Sequence, residues 1–125
     1  MRLFVYGTLR QGGRLHNQLQ QAKFLGRAEA TGTLFHTPSK RYPGAVFDSD
    51  VNTRIIGELY EFPDELLSAL DIVEGYYPNL PLRDSLFIRT RVLLEDSTSA
   101  ESYQYNRPTA DLEPIPGGDY APWLR

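Results

Sequence analysis

Residues 2–9 read Arg-Leu-Phe-Val-Tyr-Gly-Thr-Leu, an apolar and aromatic run that stops at Gly7. Four apolar residues in five, ended by a glycine, predict a strand buried on both faces over Arg2–Tyr6. Working outward, Gly12 and Gly13 predict a flexible turn, and Arg14–Ala22 (RLHNQLQQA) predicts a short helix. Phe24–Phe35 reads as strand-like pieces punctuated by Gly26 and Gly32, and Ala45–Phe47 as a short strand after the Pro38–Gly44 loop. Arg54–Phe62 (RIIGELYEF) is strand-like, with Gly57 marking a bulge or a close backbone approach. Pro63–Glu74 (PDELLSALDIVE) is the best helix: proline suits its first position, Asp64 and Glu65 its positive end, and Gly75 its stop. Leu86–Leu94 and Glu101–Tyr105 predict two further strands, paired across an Asp96–Ala100 turn. From Arg107 the prolines and glycines predict an irregular segment, held down by Tyr120 and Trp123. The pattern is β-rich with two main helices, which predicts an α+β domain with a small, mixed, β-barrel-like sheet.

The chain has 125 residues, within the usual size of one domain, so residues 1–125 are expected to form a single one. No run approaches the roughly 18 apolar residues of a membrane span, and no secretory leader is visible, which predicts a cytoplasmic protein away from membranes. There are no cysteines and two histidines, His16 and His36. Disulfides, thiolate nucleophiles, iron–sulfur clusters and thiolate zinc sites are excluded, and so is a multi-histidine metal centre. A net charge of −3 is the wrong sign for gripping a nucleic-acid backbone. Eleven of the thirteen basic residues are arginine, a skew read as surface preference. Chemistry is left to carboxylates, hydroxyls, backbone amides and arginine, with no cofactor expected.

Among the carboxylates, Glu74 stands out. At about 100° per residue from Leu66, Leu70 falls near about 40°, Leu67 near about 100° and Val73 near about 340°. Glu74 falls near about 80°, inside this leucine arc, whereas Asp71 at about 140° lies on its edge and Asp64 at about 160° outside it. The helix would aim Glu74 inward and set it at the negative end of the dipole, and both effects raise a carboxyl pKa. A general acid or base working near neutrality needs such a shift. The opposing reading is a frayed helix end that lets Glu74 swing into water beside Gly75.

Tyr6-Gly7-Thr8-Leu9 directly follows the first strand. Amides at such a turn can converge on an oxyanion, and Gly7 would leave room for a ligand to approach. An ordinary strand–turn connection explains the same residues. The stretch GTLRQGGR lacks the spacing and terminal Lys-Ser/Thr of a nucleotide-binding loop.

Taken together, FVYGTLRQG, YPGAVF and LDIVEGY, in this order from Leu3 to about Asn106, resemble the γ-glutamylcyclotransferase-like family, particularly its γ-glutamylamine cyclotransferase branch. The resemblance implies a small mixed barrel-like fold with helices around it and a pocket at the end of the first strand. It implies that Tyr6, Gly7, Thr8 and Leu9 bind a γ-glutamyl group and that Glu74 is catalytic. It also implies a small-molecule γ-glutamyl substrate, converted to 5-oxoproline and a free amine or amino acid without metal or cofactor. Relatives often carry Tyr-x-Arg on the strand after the glutamate; here the run is Phe87-Ile88-Arg89, without that hydroxyl. Tyr103 and Tyr105 lie on one strand face, as core or as pocket wall. Two other readings remain: a non-catalytic metabolite-binding module on the same fold, and an interaction domain whose proline-rich tail docks a partner. Oligomeric state is not legible.

Overall fold

The computed structural model describes residues 1–124; Arg125, the last residue of the expected irregular tail, lies outside them. Six strands form one mixed sheet: β1 (Arg2–Val5), β2 (Lys23–His36), β3 (Pro43–Phe47), β4 (Arg54–Glu61), β5 (Phe87–Leu93) and β6 (Ser99–Tyr105). Their order is β3-β2-β4-β1-β6-β5. All neighbours are antiparallel except β1 and β6, which run parallel where Leu3 meets Glu101. The ends of this order curl toward each other. Ala30 of β2 bridges Leu94 just beyond β5, and the Phe47 amide on β3 donates to the Gln104 side chain on β6 at 3.1 Å. The sheet is therefore a nearly closed barrel of the expected kind.

β1 explains why its sequence is apolar throughout. Phe4 and Tyr6 point to one cluster with Leu34, Ala45, Ile55 and Leu59. Leu3 and Val5 point to the opposite cluster with Tyr60, Leu70, Phe87 and Tyr103. A strand with both faces buried loses the polar alternation of a one-sided strand. Gly57 resolves as the close approach: a β-carbon there would sit 2.3 Å from the Val5 carbonyl oxygen and against the Phe4 ring. The bulge lies elsewhere. Leu25 is the extra residue where the β2–β4 register slips between Phe24 and Gly26, and the strand-like pieces expected over Phe24–Phe35 are one continuous 14-residue strand.

The expectation of two main helices is half right. Arg14–Ala22 forms only a single 3₁₀ turn, His16–Leu19, anchored by the buried Leu19. Nine residues following two glycines are too few to repay helix nucleation, and one anchored leucine adds little. The second helix begins as a 3₁₀ turn at Asp64–Leu66 and becomes α1 only over Leu67–Val73. The β5–β6 hairpin turns at Leu94–Thr98, two residues earlier than Asp96–Ala100, with the Asp96 carboxylate accepting from the Thr98 amide and hydroxyl. The tail is irregular as expected, but it is held mainly by Ile115 and Tyr120, both buried, while Trp123 stays 45% exposed. Among the described residues no helix is long and apolar enough to cross a membrane.

Candidate active site

The end of β1 and the end of α1 meet at a cavity of about 260 Å³. The turn Tyr6-Gly7-Thr8-Leu9 forms one wall and Glu74 the facing one, with Tyr42, Phe87 and Tyr103 closing the sides. All five site residues read from the sequence thus line one space.

The backbone around Glu74 is fixed rather than frayed. Gly75 adopts φ 71°, a left-handed conformation, and two hydrogen bonds end the helix: Gly75 N–H to Ile72 O at 3.0 Å and Tyr76 N–H to Asp71 O at 2.8 Å. This is the pairing of a Schellman motif, with Glu74 as the C-cap. The Gly75 carbonyl also accepts from the Leu86 amide at 3.0 Å, tying the helix end to the loop that enters β5. Glu74 keeps partial contact with solvent, yet the protein packed around its carboxyl dominates. Desolvation raises its pKa, the Arg14 charge opposes this, and the Asp71 charge adds to it, leaving the carboxyl at about 7.

The turn facing it is equally constrained. The Gly7 and Thr8 carbonyls accept from the Arg10 and Leu15 amides, and His16 Nδ1–H donates to the Leu9 carbonyl at 2.9 Å. Among the described residues, no turn or loop hydrogen bond uses the Thr8 or Leu9 amide as donor. Gly7 leaves room for the protein itself: a β-carbon would fall 2.7 Å from the Pro43 ring. The Tyr6 hydroxyl is committed, donating to the Tyr103 carbonyl at 2.6 Å, which leaves it no proton to donate to a ligand. Arg10 anchors the turn from behind through a 2.8 Å bond to Asp119, and its Nε lies 3.6 Å from Glu58 Oε2, too far for a hydrogen bond.

Two residues of the site, Asp71 and Arg14, escaped the sequence reading. Asp71, placed on the edge of the helix wheel, is more deeply buried than Glu74, at 5% exposure. Val73, which set one edge of the leucine arc, is 39% exposed, so the buried face shifts toward Leu70 and Asp71, with Glu74 beside them. Asp71 accepts from the Tyr103 hydroxyl at 2.6 Å and from Arg89 Nε at 3.1 Å. Tyr103, on β6, therefore both packs in the core and walls the pocket. Arg14 stands at the cavity mouth, exposed and without a carboxylate partner among the described residues. Its place in a segment read as helix gave no sign of this. Phe87, lacking the tyrosine hydroxyl, packs edge-on against Tyr42 and Tyr105 at 5.8 and 5.5 Å between ring centres. Among the described residues no three His, Asp or Glu side chains gather to hold a metal ion.

A largely desolvated carboxyl with a pKa near neutrality, sharing a cavity with a turn of backbone amides, can support acid–base chemistry on a carbonyl compound. Comparison with known proteins identifies the class. Residues 3–122 match the family described as gamma-glutamyl cyclotransferase, AIG2-like, and the chain belongs to it. It is 36% identical over 109 residues, 84% of this chain and 67% of the relative, to the Gamma-L-glutamyl-butirosin B gamma-glutamyl cyclotransferase of Niallia circulans. Among solved structures it resembles an uncharacterized protein of Pyrococcus horikoshii, with TM-score 0.74 and 25% identity over 98% of this chain and 92% of that one. An AIG2-like protein of Mus musculus shares the fold, with TM-score 0.76 and 24% identity over 95% of this chain and 86% of that one. The protein is an enzyme of the γ-glutamylcyclotransferase type acting on a small molecule.

Proposed function

We propose that this protein releases 5-oxoproline and a free amine or amino acid from a γ-glutamyl compound. The observation that carries the reading is Glu74, with a pKa of about 7, facing the Tyr6–Leu9 turn across one cavity. The glutamyl chain lies in that cavity with its γ-carbonyl oxygen toward the Thr8 and Leu9 amides. Glu74, ionised, takes a proton from the substrate α-ammonium. The freed amine attacks the γ-carbonyl carbon, closing a five-membered ring, and the carbonyl electrons move onto the oxygen that the amides stabilise. As the tetrahedral centre collapses, the bond from carbon to the leaving nitrogen breaks and protonated Glu74 returns its proton to that nitrogen. The ring nitrogen gives its remaining extra proton to the re-ionised Glu74, from which it passes to the released amine, leaving neutral 5-oxoproline and the amine as its ammonium ion. The nucleophile belongs to the substrate, so no thiol or metal is needed.

General acid–base assistance of this kind is worth about 10²–10⁴-fold, and each oxyanion donor about 10²–10³-fold. Holding the flexible chain in its ring-closing conformer adds an orientation term. The test is release of 5-oxoproline from a panel of γ-glutamyl compounds by the native protein and by Glu74→Gln. A loss of at least about 10²-fold in kcat with the fold retained is expected. Near-native turnover by the variant would remove Glu74 from the mechanism. Saturable binding with no product from either protein would instead mark a metabolite-binding module on this fold.

A further inference from the structure

A second cavity, of about 220 Å³, opens beside the first and shares Thr8 and Arg14 with it as a common wall. Its remaining lining includes Lys40, Arg41, Tyr120 and Trp123 and, among the described residues, no carboxylate. The charge is unusual for this chain, which carries −3 overall. Arg10, Arg27, Arg54, Arg89 and Arg91 are each paired with an acid. Arg14, Lys40 and Arg41 are all exposed, and among the described residues none of them has an ion-pair partner.

The loop that presents two of these cations is built for the purpose. Lys40 sits at φ 59°, the left-handed region that a residue with a long side chain rarely occupies. It is held there by its amide donating to the Thr37 carbonyl at 2.9 Å. Thr37 is itself buried and donates its hydroxyl to the Tyr42 carbonyl at 2.7 Å, while Ser39 Oγ accepts from the Arg41 amide at 3.2 Å. On the other side, Trp123 stacks on Tyr120 with 5.8 Å between ring centres and meets His36 edge-on at 4.8 Å. The result is a groove with a cationic rim and a flat aromatic side, continuous with the catalytic cavity.

We propose that this groove is the subsite for the leaving group, and that it selects leaving amines that carry carboxylates, an acidic amino acid or peptide, over neutral or cationic amines. The proposal rests on the reading of the first cavity as the place where the γ-glutamyl bond is broken. If the glutamyl chain fills that cavity with its carbonyl at Thr8, the group beyond the scissile bond has the Thr8–Arg14 wall to cross. It then meets three positive charges, none of them in an ion pair among the described residues, of which Arg14 alone also acts on Glu74. An ammonium on the leaving group meets the same charges as repulsion, and like-charge contact is a strong source of discrimination.

The test compares γ-glutamylglutamate, γ-glutamylbutylamide and γ-glutamylputrescine, whose leaving groups are acidic, neutral and cationic. Release of 5-oxoproline gives kcat/KM, and calorimetry on the Glu74→Gln protein gives binding independent of turnover. We expect γ-glutamylglutamate to exceed γ-glutamylputrescine by about 10-fold or more in both measures, the ratio shrinking as salt is added. In the double variant Lys40→Glu/Arg41→Glu the ratio should fall to unity or invert. Turnover without charge preference, or a preference that survives the double variant, overturns the subsite. Charge-selective binding without any 5-oxoproline keeps the subsite and overturns the catalytic reading. Absence of both selective binding and turnover overturns the two together.

Discussion

A carboxyl held at about 7 makes the folded protein sensitive to pH in a defined direction. Folding raises the Glu74 pKa from its ordinary value of 4.5, so the native state favours the protonated form. That preference contributes stability fully below the unfolded pKa and loses it as pH rises through the folded one. A tenfold change in proton affinity is worth about 1.4 kcal/mol, so native stability should drop by up to about 3 kcal/mol between about pH 4.5 and about pH 8, relative to Glu74→Gln, which cannot ionise. Urea unfolding of both proteins across that window measures it, and parallel stability curves would mean a carboxyl with an ordinary pKa. Glu74 was legible in the sequence because burial, helix position and the following glycine all bear on one residue. Arg14 was not, since an arginine becomes part of a site only when a chain turn carries it to the mouth, and no local pattern records that.

Between the elements, the tie that matters most to the site joins α1 to the β5–β6 hairpin. Asp71 lies three residues before Glu74, close to the same face, and is gripped by Tyr103 from β6 and Arg89 from β5. Arg89 also reaches Glu101 at 3.5 Å and lies over the Tyr76 ring, 5.8 Å from its centre. These contacts hold the helix against the sheet and keep a negative charge near Glu74. Asp71→Asn preserves the shape but removes the charge and weakens both hydrogen bonds. We expect a stability loss of about 1–3 kcal/mol, from a buried ionic contact left incomplete. We also expect the Glu74 midpoint in the pH–rate profile to move down, because a charge that raised it is gone. A profile unmoved despite the stability loss would assign Asp71 a purely structural part. The helix wheel missed this tie for a geometric reason: it counted Val73 into the buried arc, whereas Val73 turns outward and the buried face moves toward Asp71. The strands were more legible than the helices, since a pleat repeats every two residues and tolerates small errors of boundary. The Arg14–Ala22 segment had a helical composition without the length or the apolar face to sustain a helix.

On the scale of the whole molecule, the irregular tail extends the sheet, lying antiparallel beside residues 34–36 of β2 past the end of β4: the Ile115 amide donates to Leu34 O at 2.7 Å, His36 N–H donates to Glu113 O at 3.0 Å, and Pro114 bridges Phe35. Ile115 and Tyr120 complete the cluster that contains Phe4, Tyr6 and Leu34, and Asp119 grips Arg10, which follows the Tyr6–Leu9 turn. Gly118, at φ 64°, passes so close to the Arg54 carbonyl that no side chain fits there. The prolines and glycines announced an irregular segment but not its load, because the contacts that give it one lie more than sixty residues away in the chain. The tail therefore serves as a wall of the core and as a brace for the site, which sets it against the reading of a free docking arm. Replacing Tyr120 with Ala should cost about 3–5 kcal/mol, the range for deleting a large buried aromatic, and lower the thermal midpoint by well over ten degrees in a domain of this size. Asp119→Asn, which leaves the core filled, should cost far less stability and act on turnover by loosening Arg10. Thermal unfolding and 5-oxoproline release measured on both variants separate the two roles. A Tyr120→Ala protein as stable as the native one would show that the core is complete without its tail.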